Sequence, residues 1–244
     1  MFDLSAAEKK LQELSQEWRR VRPDPGNIVS VVSWQRTMRE LRQRQQVLAS
    51  GGRWTRGPTS VLAIIGKERR EMYHSAMIAW LMDPLAPHGF GMAFLKELLN
   101  TAGVPYEPAA WHAGRLHVHC EVVAATSRAD IVLTAPGHSV IIENKVDAVE
   151  GEEQCNRLYQ DFSTYPDPSF IFLSPSGHPP QTATREAAQA FHTLSYSEVR
   201  RVLEGVLKRS EERNNVAPTQ ANSAQGKGRF AARSYAMTLR QLFP

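Results

Sequence analysis

The sequence lacks several features that would assign the chain to a specialised class of protein. Of its 244 residues only two are cysteine, Cys120 and Cys155, and they lack the spacing of a metal site. The longest apolar run, Met77 to Met82, is far shorter than the roughly 20 residues of a membrane span. The N-terminus shows no basic segment followed by an apolar run, so no secretory signal is expected. These absences predict a cytoplasmic protein with two reduced, mostly buried thiols.

What the sequence does contain is typical of a globular protein. Hydrophobic residues make up 42% and charged residues 22% of the chain, which excludes a disordered or fibrous class. A chain of 244 residues can bury the core of one full domain and add a small helical extension. The formal net charge of +4 suits a polyanionic partner without requiring one. No internal repeat is visible.

The most informative stretch is SRADIVLTAPGHSVIIENKVDAVEGEEQ, residues 127–154. It is typical of a strand, a Pro-Gly turn, a second strand and then a helix. If the second strand is extended, alternation places Glu143 and Lys145 on the same face. The hairpin would also bring Asp130 of the first strand beside Glu143. Two acids and a lysine are therefore predicted to converge.

This combination of side chains indicates a particular chemistry. Two neighbouring carboxylates repel each other unless a cation lies between them, and their hard oxygen ligands suit Mg²⁺ or Mn²⁺. Such an ion lowers the pKa of its bound water and stabilises negative charge on a pentavalent phosphorus. A lysine beside it can hold or deprotonate the attacking water. The pattern therefore indicates hydrolysis of a phosphodiester bond.

These residues resemble the core motif of the PD-(D/E)xK nuclease superfamily, which is an Asp, a loop and then Glu-x-Lys on the next strand. Asp130 matches the first acid, Glu143 the second and Lys145 the lysine. The proline that often precedes the first acid is replaced by Ala129. A bare Asp and Glu-x-Lys is a weak signal, because it recurs by chance in soluble proteins.

The resemblance becomes specific because it extends beyond the core motif. The Arg-x-Asp of 128–130, the Ile-Ile-Glu-Asn-Lys of 141–145 and the helical Gln154 are similar to those of compact bacterial nuclease domains in this superfamily. Upstream, the Glu-x-x-His-Ser that begins at Glu71 and the His-Gly at residues 88–89 resemble the N-terminal signature of the same domains. The similarity runs from about residue 60 to the C-terminus.

The resemblance implies an α/β fold, with a restriction-endonuclease-like mixed β-sheet core flanked by helices and an N-terminal helical extension. The extension would cover residues 1–57 and the nuclease-like domain residues 58–244. The implied cofactor is Mg²⁺ (or Mn²⁺). Its implied ligands are Asp130, Glu143, Glu71 and the backbone carbonyl of Asn144. The implied catalytic residues are Asp130, Glu143, Lys145, Gln154 and Glu71.

Hydrophobic periodicity and turn residues predict the boundaries of the elements. Helices are expected at residues 4–20, 30–49, 59–82, 89–100 and 149–165, from Ser197 onwards, and in the C-terminal tail. Strands are expected at 116–125, from Asp130 to the Pro-Gly turn, and at 139–146, 169–173 and 191–194. The polar segment 211–228 is expected to be a mobile loop.

Several polar residues near the motifs have more than one interpretation. His74 either faces the cleft or is a hydrogen-bonded core histidine. Glu68 is a rival for the acid role of the first core helix, although it does not fit the motif. Glu121 could be a metal ligand or lie just behind one. His117 and His119 form a weak zinc pair without a third ligand, or lie near substrate phosphates.

The implied function is metal-dependent hydrolysis of nucleic acid, with DNA as the expected substrate, in a bacterial restriction or anti-phage defence system with a protein partner. The predicted N-terminal helical hairpin, formed by the helices at 4–20 and 30–49, is the candidate surface for a partner or for self-association, and its second helix carries an apolar stripe. Four arginines of this helix lie outside the apolar stripe, and they either form a solvent-exposed face or contact phosphates. They are Arg36, Arg39, Arg42 and Arg44.

Two other functional classes are less well supported. A catalytically silent nucleic-acid-binding or assembly subunit with a nuclease fold would not need two acids beside a lysine in an apolar core. A glycosidase built on Asp130 and Glu143 does not fit the adjacent lysine and the lack of aromatic subsites. Neither class predicts an association with membranes.

Overall fold

The computed structural model of the chain describes residues 13, 31–52, 57–213 and 223–244. The chain divides into two compact units, residues 1–56 and 57–244. In the first unit, helix α1 (Val31–Ser50) occupies the predicted position, and its apolar Trp34, Met38 and Leu41 are exposed. The predicted helix at 4–20 lies, apart from residue 13, outside the described residues.

The second unit is built on a five-stranded mixed β-sheet with strand order β1-β2-β3-β4-β5. The first three strands pair antiparallel and the last three pair parallel. A two-residue turn, in which Gly137 has a φ of 77°, joins β2 to β3 as predicted. The strands are β1 (His117–Val123), β2 (Arg128–Ala135), β3 (His138–Asn144), β4 (Pro168–Ser174) and β5 (Phe191–Ser195).

Helices cover both faces of this sheet. They are α2 (Val61–Ile64), α3 (Glu71–Met82), α4 (Ala93–Ala102), α5 (Gln154–Phe162), α6 (Arg185–Ala190), α7 (Tyr196–Arg213) and α8 (Ala224–Leu242). The larger apolar core lies between one face of the sheet and α3, α4, α7 and α8. The smaller core lies on the opposite face, where α5 contributes Cys155, Leu158 and Phe162. Alternation along β3 sends Ile141 to the smaller core and Ile142 to the larger one.

The predicted fold class is therefore confirmed: the protein is α/β, with a restriction-endonuclease-like mixed sheet flanked by helices and an N-terminal helix. Among the helices of the described residues, none combines the length and the apolar character that crossing a membrane requires.

The predicted single helix at 59–82 is wrong, because the structure has α2 and α3 with a turn between them. Ser60 caps α2 by accepting a hydrogen bond from the Ala63 N–H, and Gly66 adopts a φ of 63° after its last turn. The Lys67 N–H then donates to the Leu62 carbonyl. The chain re-enters helix at Glu71, which places this acid in the first turn of α3 rather than inside a long helix.

Other predicted boundaries also need correction. The helix expected at 89–100 begins only at Ala93, because Gly89 and Gly91 have positive φ. The helix expected at 149–165 is restricted to α5, and Val149 lies in an exposed loop. The expected loop at 211–228 is helical at both ends, in α7 and α8, with 214–222 outside the described residues. Cys120, expected to be buried, is exposed on the edge strand β1.

The backbone at Gly228 packs so closely against another segment that a side chain there should strongly lower stability. Gly228 of α8 is buried, and a Cβ there would lie 2.1 Å from the Pro87 carbonyl oxygen and 2.6 Å from the His88 nitrogen. Backbone atoms cannot rotate away as a side chain can. We expect Gly228→Ala to lower the free energy of unfolding by about 3 kcal/mol or more, measured by chemical denaturation.

Gly205→Ala in α7 is the matched control for this prediction. Its Cβ would meet only the end of the flexible Arg209 side chain, at 3.4 Å. Alanine is favoured over glycine inside a helix, so this change should raise stability by roughly 0.5–1 kcal/mol. Equal effects of the two substitutions would contradict the close contact at Gly228.

Candidate active site

The sheet opens between β2 and β3 at the end where the two acids lie. Paired residues run from Ala135 and His138 to Ile131 and Ile142, and the pairing of these strands stops there. Beyond it, the Asn144 N–H donates to Asp130 Oδ2 at 2.7 Å. Meanwhile β3 continues to pair with β4. A carboxylate of β2 has thus replaced the usual backbone acceptor, and it lies against the end of β3.

Glu143 has one occupied and one unoccupied carboxylate oxygen. Its Oε1 accepts from Lys145 Nζ at 2.9 Å and from Gln154 Nε2 at 2.5 Å. Its Oε2 is buried and has no hydrogen-bond partner among the described residues, and the whole residue is 1% exposed. A buried carboxylate oxygen without a donor is costly, so Oε2 is the atom at which an additional group would bind favourably.

Gln154 is the first residue of α5, and its amide is oriented from both ends. Its Oε1 accepts from the Gly151 N–H at 2.9 Å, which leaves its NH₂ group to face Glu143. The helix start is held by Thr182, whose Oγ1 accepts from the Cys155 N–H at 3.1 Å. Gln154, which the resemblance implies to be a catalytic residue, donates to Glu143 in the structure.

Glu71 contacts the loop that follows β3. Its Oε1 accepts from the Val146 N–H at 2.8 Å and from the Ala148 N–H at 3.2 Å. These bonds fix the direction of the chain immediately after Lys145. With Oε1 occupied in this way, Oε2 is the oxygen of Glu71 that is left for any other ligand.

The Asn144 side chain belongs to a buried polar network beneath the cleft. Its Nδ2 donates to the Glu71 carbonyl at 3.2 Å and to Ser75 Oγ at 3.0 Å. Its Oδ1 accepts from the Tyr196 hydroxyl at 2.6 Å. Tyr196 begins α7, where Ser195 and Glu198 form a capping box. The network therefore joins β3 to both α3 and α7.

Removing the Tyr196 hydroxyl would leave Asn144 Oδ1 buried without a donor. We expect Tyr196→Phe to lower the free energy of unfolding by about 1–3 kcal/mol, measured by urea denaturation. Tyr159→Phe is the control, because the half-buried Tyr159 makes no hydroxyl bond to a described residue. A Tyr196→Phe protein as stable as this control would contradict the network.

Burial and charge shift the pKa values of the three central groups. Burial raises the pKa of Asp130 to about 6, against the opposing effects of the Asn144 N–H and Lys145. Burial, together with the nearby Asp130, also raises the pKa of Glu143. Burial lowers the pKa of Lys145, but Glu143 outweighs this effect and the net shift is upward. The acids therefore resist ionisation, whereas the lysine retains its proton.

One cleft of about 570 Å³ brings the predicted side chains together. Its walls include the segment 123–127 between β1 and β2, and the first turns of α5. The predicted site residues that line it are Glu71, Asp130, Glu143, Lys145 and Gln154. The side chain of Asn144 lies in the network beneath the cleft, so only its backbone is left for the predicted ligand role.

The donor set fits a divalent cation that keeps part of its water shell. Among the described residues, no group of three or more His, Cys, Asp or Glu side chains is placed to hold a metal by itself. Mg²⁺ in enzymes that act on phosphates commonly keeps several waters and is held by one or two carboxylates plus the substrate. A cation bound here would satisfy the unpartnered Glu143 Oε2 and favour the ionised form of Asp130, whose pKa is raised.

The structure decides between the interpretations of the histidines. His74 is a core residue: its Nδ1 pairs with the Tyr235 hydroxyl at 2.9 Å and its Nε2 with the Glu68 carbonyl at 2.7 Å. Burial accordingly lowers the pKa of His74. His117 and His119 are exposed on β1, and no third zinc ligand accompanies them among the described residues.

Glu121 and Glu68 also lie outside the cleft lining. Glu121 has a φ of 56° and forms an ion pair with Arg128, with Oε2 and Nε separated by 2.9 Å. The Oε2 atom of Glu68 is buried and has no hydrogen-bond partner in the described part of the chain. Sequence reasoning missed Arg157, which lines the cleft. Its position one helical turn after Gln154 was the signal that could have identified it.

Comparison with known proteins gives one match. Residues 60–221 match the family model described as the PD-(D/E)XK nuclease superfamily. No significant match was found among curated proteins or among solved structures. The matched region includes every side chain discussed above for the cleft.

Proposed function

Because the chain belongs to the PD-(D/E)XK nuclease superfamily, we propose that it is a Mg²⁺- or Mn²⁺-dependent nuclease that hydrolyses DNA at this cleft. The observation that carries the proposal is the buried, unpartnered Oε2 of Glu143, which lies in the same cleft as Asp130. A buried carboxylate oxygen without a donor is costly, and a cation bound in this cleft would satisfy it.

Asp130 and Glu143 would hold the cation, together with the backbone carbonyl of Asn144, and Oε2 of Glu71 would reach it through a bound water. When bound, the cation supplies a water of lowered pKa and stabilises charge on phosphorus. Gln154 keeps Oε1 of Glu143 engaged, so Oε2 remains available for the cation. Lys145 retains its proton and orients the attacking water through its ammonium group, rather than removing a proton from it.

The experiment that tests this function is incubation of the purified protein with plasmid, linear and single-stranded DNA and with RNA. Each substrate is combined with Mg²⁺, Mn²⁺ or a chelator. We expect cleavage of DNA with either metal and none with the chelator. Cleavage that persists in the chelator would overturn the metal assignment. Cleavage of RNA in preference to DNA would overturn the assignment of DNA as the substrate.

We further propose that the nuclease acts in a restriction or anti-phage defence system in the bacterial cytoplasm, with a protein partner or as a homo-oligomer. The exposed Trp34, Met38 and Leu41 of α1 are consistent with a surface for such an association. Phage plating efficiency on cells expressing the protein or its Asp130→Asn variant tests this role. Equal plating on both would argue against it.

A further inference from the structure

One face of α5 connects the two walls of the cleft. Its residues Gln154, Arg157, Leu158 and Asp161 follow the i, i+3, i+4, i+7 spacing of neighbours on a helix. Asp161 Oδ2 accepts from the Thr126 N–H at 2.8 Å, and so holds the segment between β1 and β2. Because Gln154 contacts Glu143 at the other end of this face, Arg157 lies between the acids and the β1–β2 segment.

Arg157 is held in place but retains hydrogen-bonding capacity. It is half-buried, and its Nη1 donates to the Glu152 carbonyl. A guanidinium has five N–H donors, so one such bond leaves others for a ligand in the cleft. The contact with Glu152 fixes the guanidinium beside the start of α5, one helical turn from Gln154.

Arg128 lines the same cleft from the opposite wall, at the start of β2. Its side chain is 60% exposed and pairs through Nε with Glu121, which is 31% exposed. A solvent-exposed ion pair of this kind contributes little to stability, because water screens both charges. A phosphate, which a guanidinium can bind through two N–H groups, can therefore replace Glu121 at little cost.

Charge balance shows why such a pair is needed. A nucleic-acid strand must approach Glu71, Asp130 and Glu143, and a bound cation together with Lys145 would offset charge only at these acids, which leaves the neighbouring phosphates of the strand in need of other cationic groups. Among the residues that line the cleft, the other cationic ones are Arg128 and Arg157. On the basis of the proposed function, we infer that Arg128 and Arg157 bind backbone phosphates of the substrate strand, and that Glu121 competes with substrate for Arg128.

The test is binding of labelled single-stranded DNA, duplex DNA and RNA in a chelator, so that affinity is measured without cleavage. Fluorescence anisotropy is followed from about 50 to about 200 mM salt. Arg157→Ala and Arg128→Ala should each weaken binding by about threefold to tenfold at low salt, and each should reduce the slope of log K against log salt by about 1. Glu121→Gln should have the opposite effect and tighten binding about twofold, because it frees Arg128 from its ion pair with Glu121.

An ion pair of similar exposure supplies the controls. Arg240 and Glu204 pair on α8 and α7, with side chains 66% and 32% exposed, and neither lines the cleft. Arg240→Ala and Glu204→Gln should bind each probe as the wild type does. These two variants show how far a change in the net charge of the protein alone alters binding.

The outcomes separate this inference from the function on which it depends. If the wild type binds and cleaves nucleic acid but the Arg128 and Arg157 variants behave like Arg240→Ala, the phosphate pair is wrong and the nuclease assignment stands. Weaker binding by Glu121→Gln would also overturn the role of Glu121. If the wild type binds none of the three probes in the chelator but cleaves them with Mg²⁺ or Mn²⁺, the phosphate pair is wrong and the proposed function stands. If it neither binds them in the chelator nor cleaves them with metal, the proposed function fails together with the phosphate pair.

Discussion

Replacing Asp130 by asparagine is expected to abolish cleavage and, at neutral pH, to make the metal-free protein more stable. The loss of activity should be about a thousandfold or more, because a metal-bound water and charge stabilisation contribute several kcal/mol to the transition state. Asparagine keeps the shape of the side chain and can still accept the Asn144 N–H bond. The fold should therefore remain intact.

The gain in stability follows from the raised pKa of Asp130. A carboxyl whose pKa is higher in the folded state than in the unfolded state stabilises the fold fully below its unfolded pKa of about 4. That contribution is lost as the pH rises through the folded value of about 6. At neutral pH the ionised Asp130 therefore carries a cost that asparagine does not, of about 1–3 kcal/mol.

Thermal unfolding in a chelator, at pH 4 and at pH 8, measures this difference. The variant should melt above the wild type at pH 8, and the two should converge at pH 4. Asp161→Asn is a control of opposite sign, because its hydrogen bonds to Ser127 and Thr126 lower the pKa of Asp161. That variant should melt below the wild type at pH 8. An Asp130→Asn protein that cleaves DNA normally would falsify the assignment of Asp130 to the site.

The convergence of Asp130, Glu143 and Lys145 could be predicted because it depends on two local rules. Strand alternation places Glu143 and Lys145 on one face, and a two-residue turn fixes the register of the hairpin that carries Asp130. The mixed sheet could be anticipated from the order of strands and helices for similar reasons. Its class is confirmed, and these parts of the site required no knowledge of distant packing.

The hydrogen-bond partners of the other site residues could not be predicted, because they depend on contacts between elements that are far apart in sequence. Tyr196 reaches Asn144 across 52 positions, and Val146 reaches Glu71 across 75. Alternation does place Asn144 on the face opposite Glu143, but it does not reveal what lies there. The split of the predicted 59–82 helix was missed because a single glycine, Gly66, does not by itself end a helical pattern, and the charged residues 67–71 that follow it are also compatible with a helix.

Lys145→Ala is expected to lower the rate of cleavage by about a thousandfold while leaving binding of nucleic acid largely unchanged. Lys145 Nζ lies 2.9 Å from Glu143 Oε1, and the net pKa shift keeps it protonated. The ammonium therefore acts by orienting water and stabilising developing charge. These effects are realised chiefly in the transition state, so single-turnover rates should fall much more than affinity.

Two further variants make this prediction specific to the position of the charge. Lys145→Arg keeps a positive charge but replaces a point-like ammonium with a longer planar group, so it should recover less than about a tenth of the wild-type rate. Arg233→Ala removes a cation that pairs with Glu211 and does not line the cleft, and it should cleave normally. Full activity of Lys145→Arg would mean that net charge at the cleft is sufficient. Full activity of Lys145→Ala would remove the lysine from the mechanism.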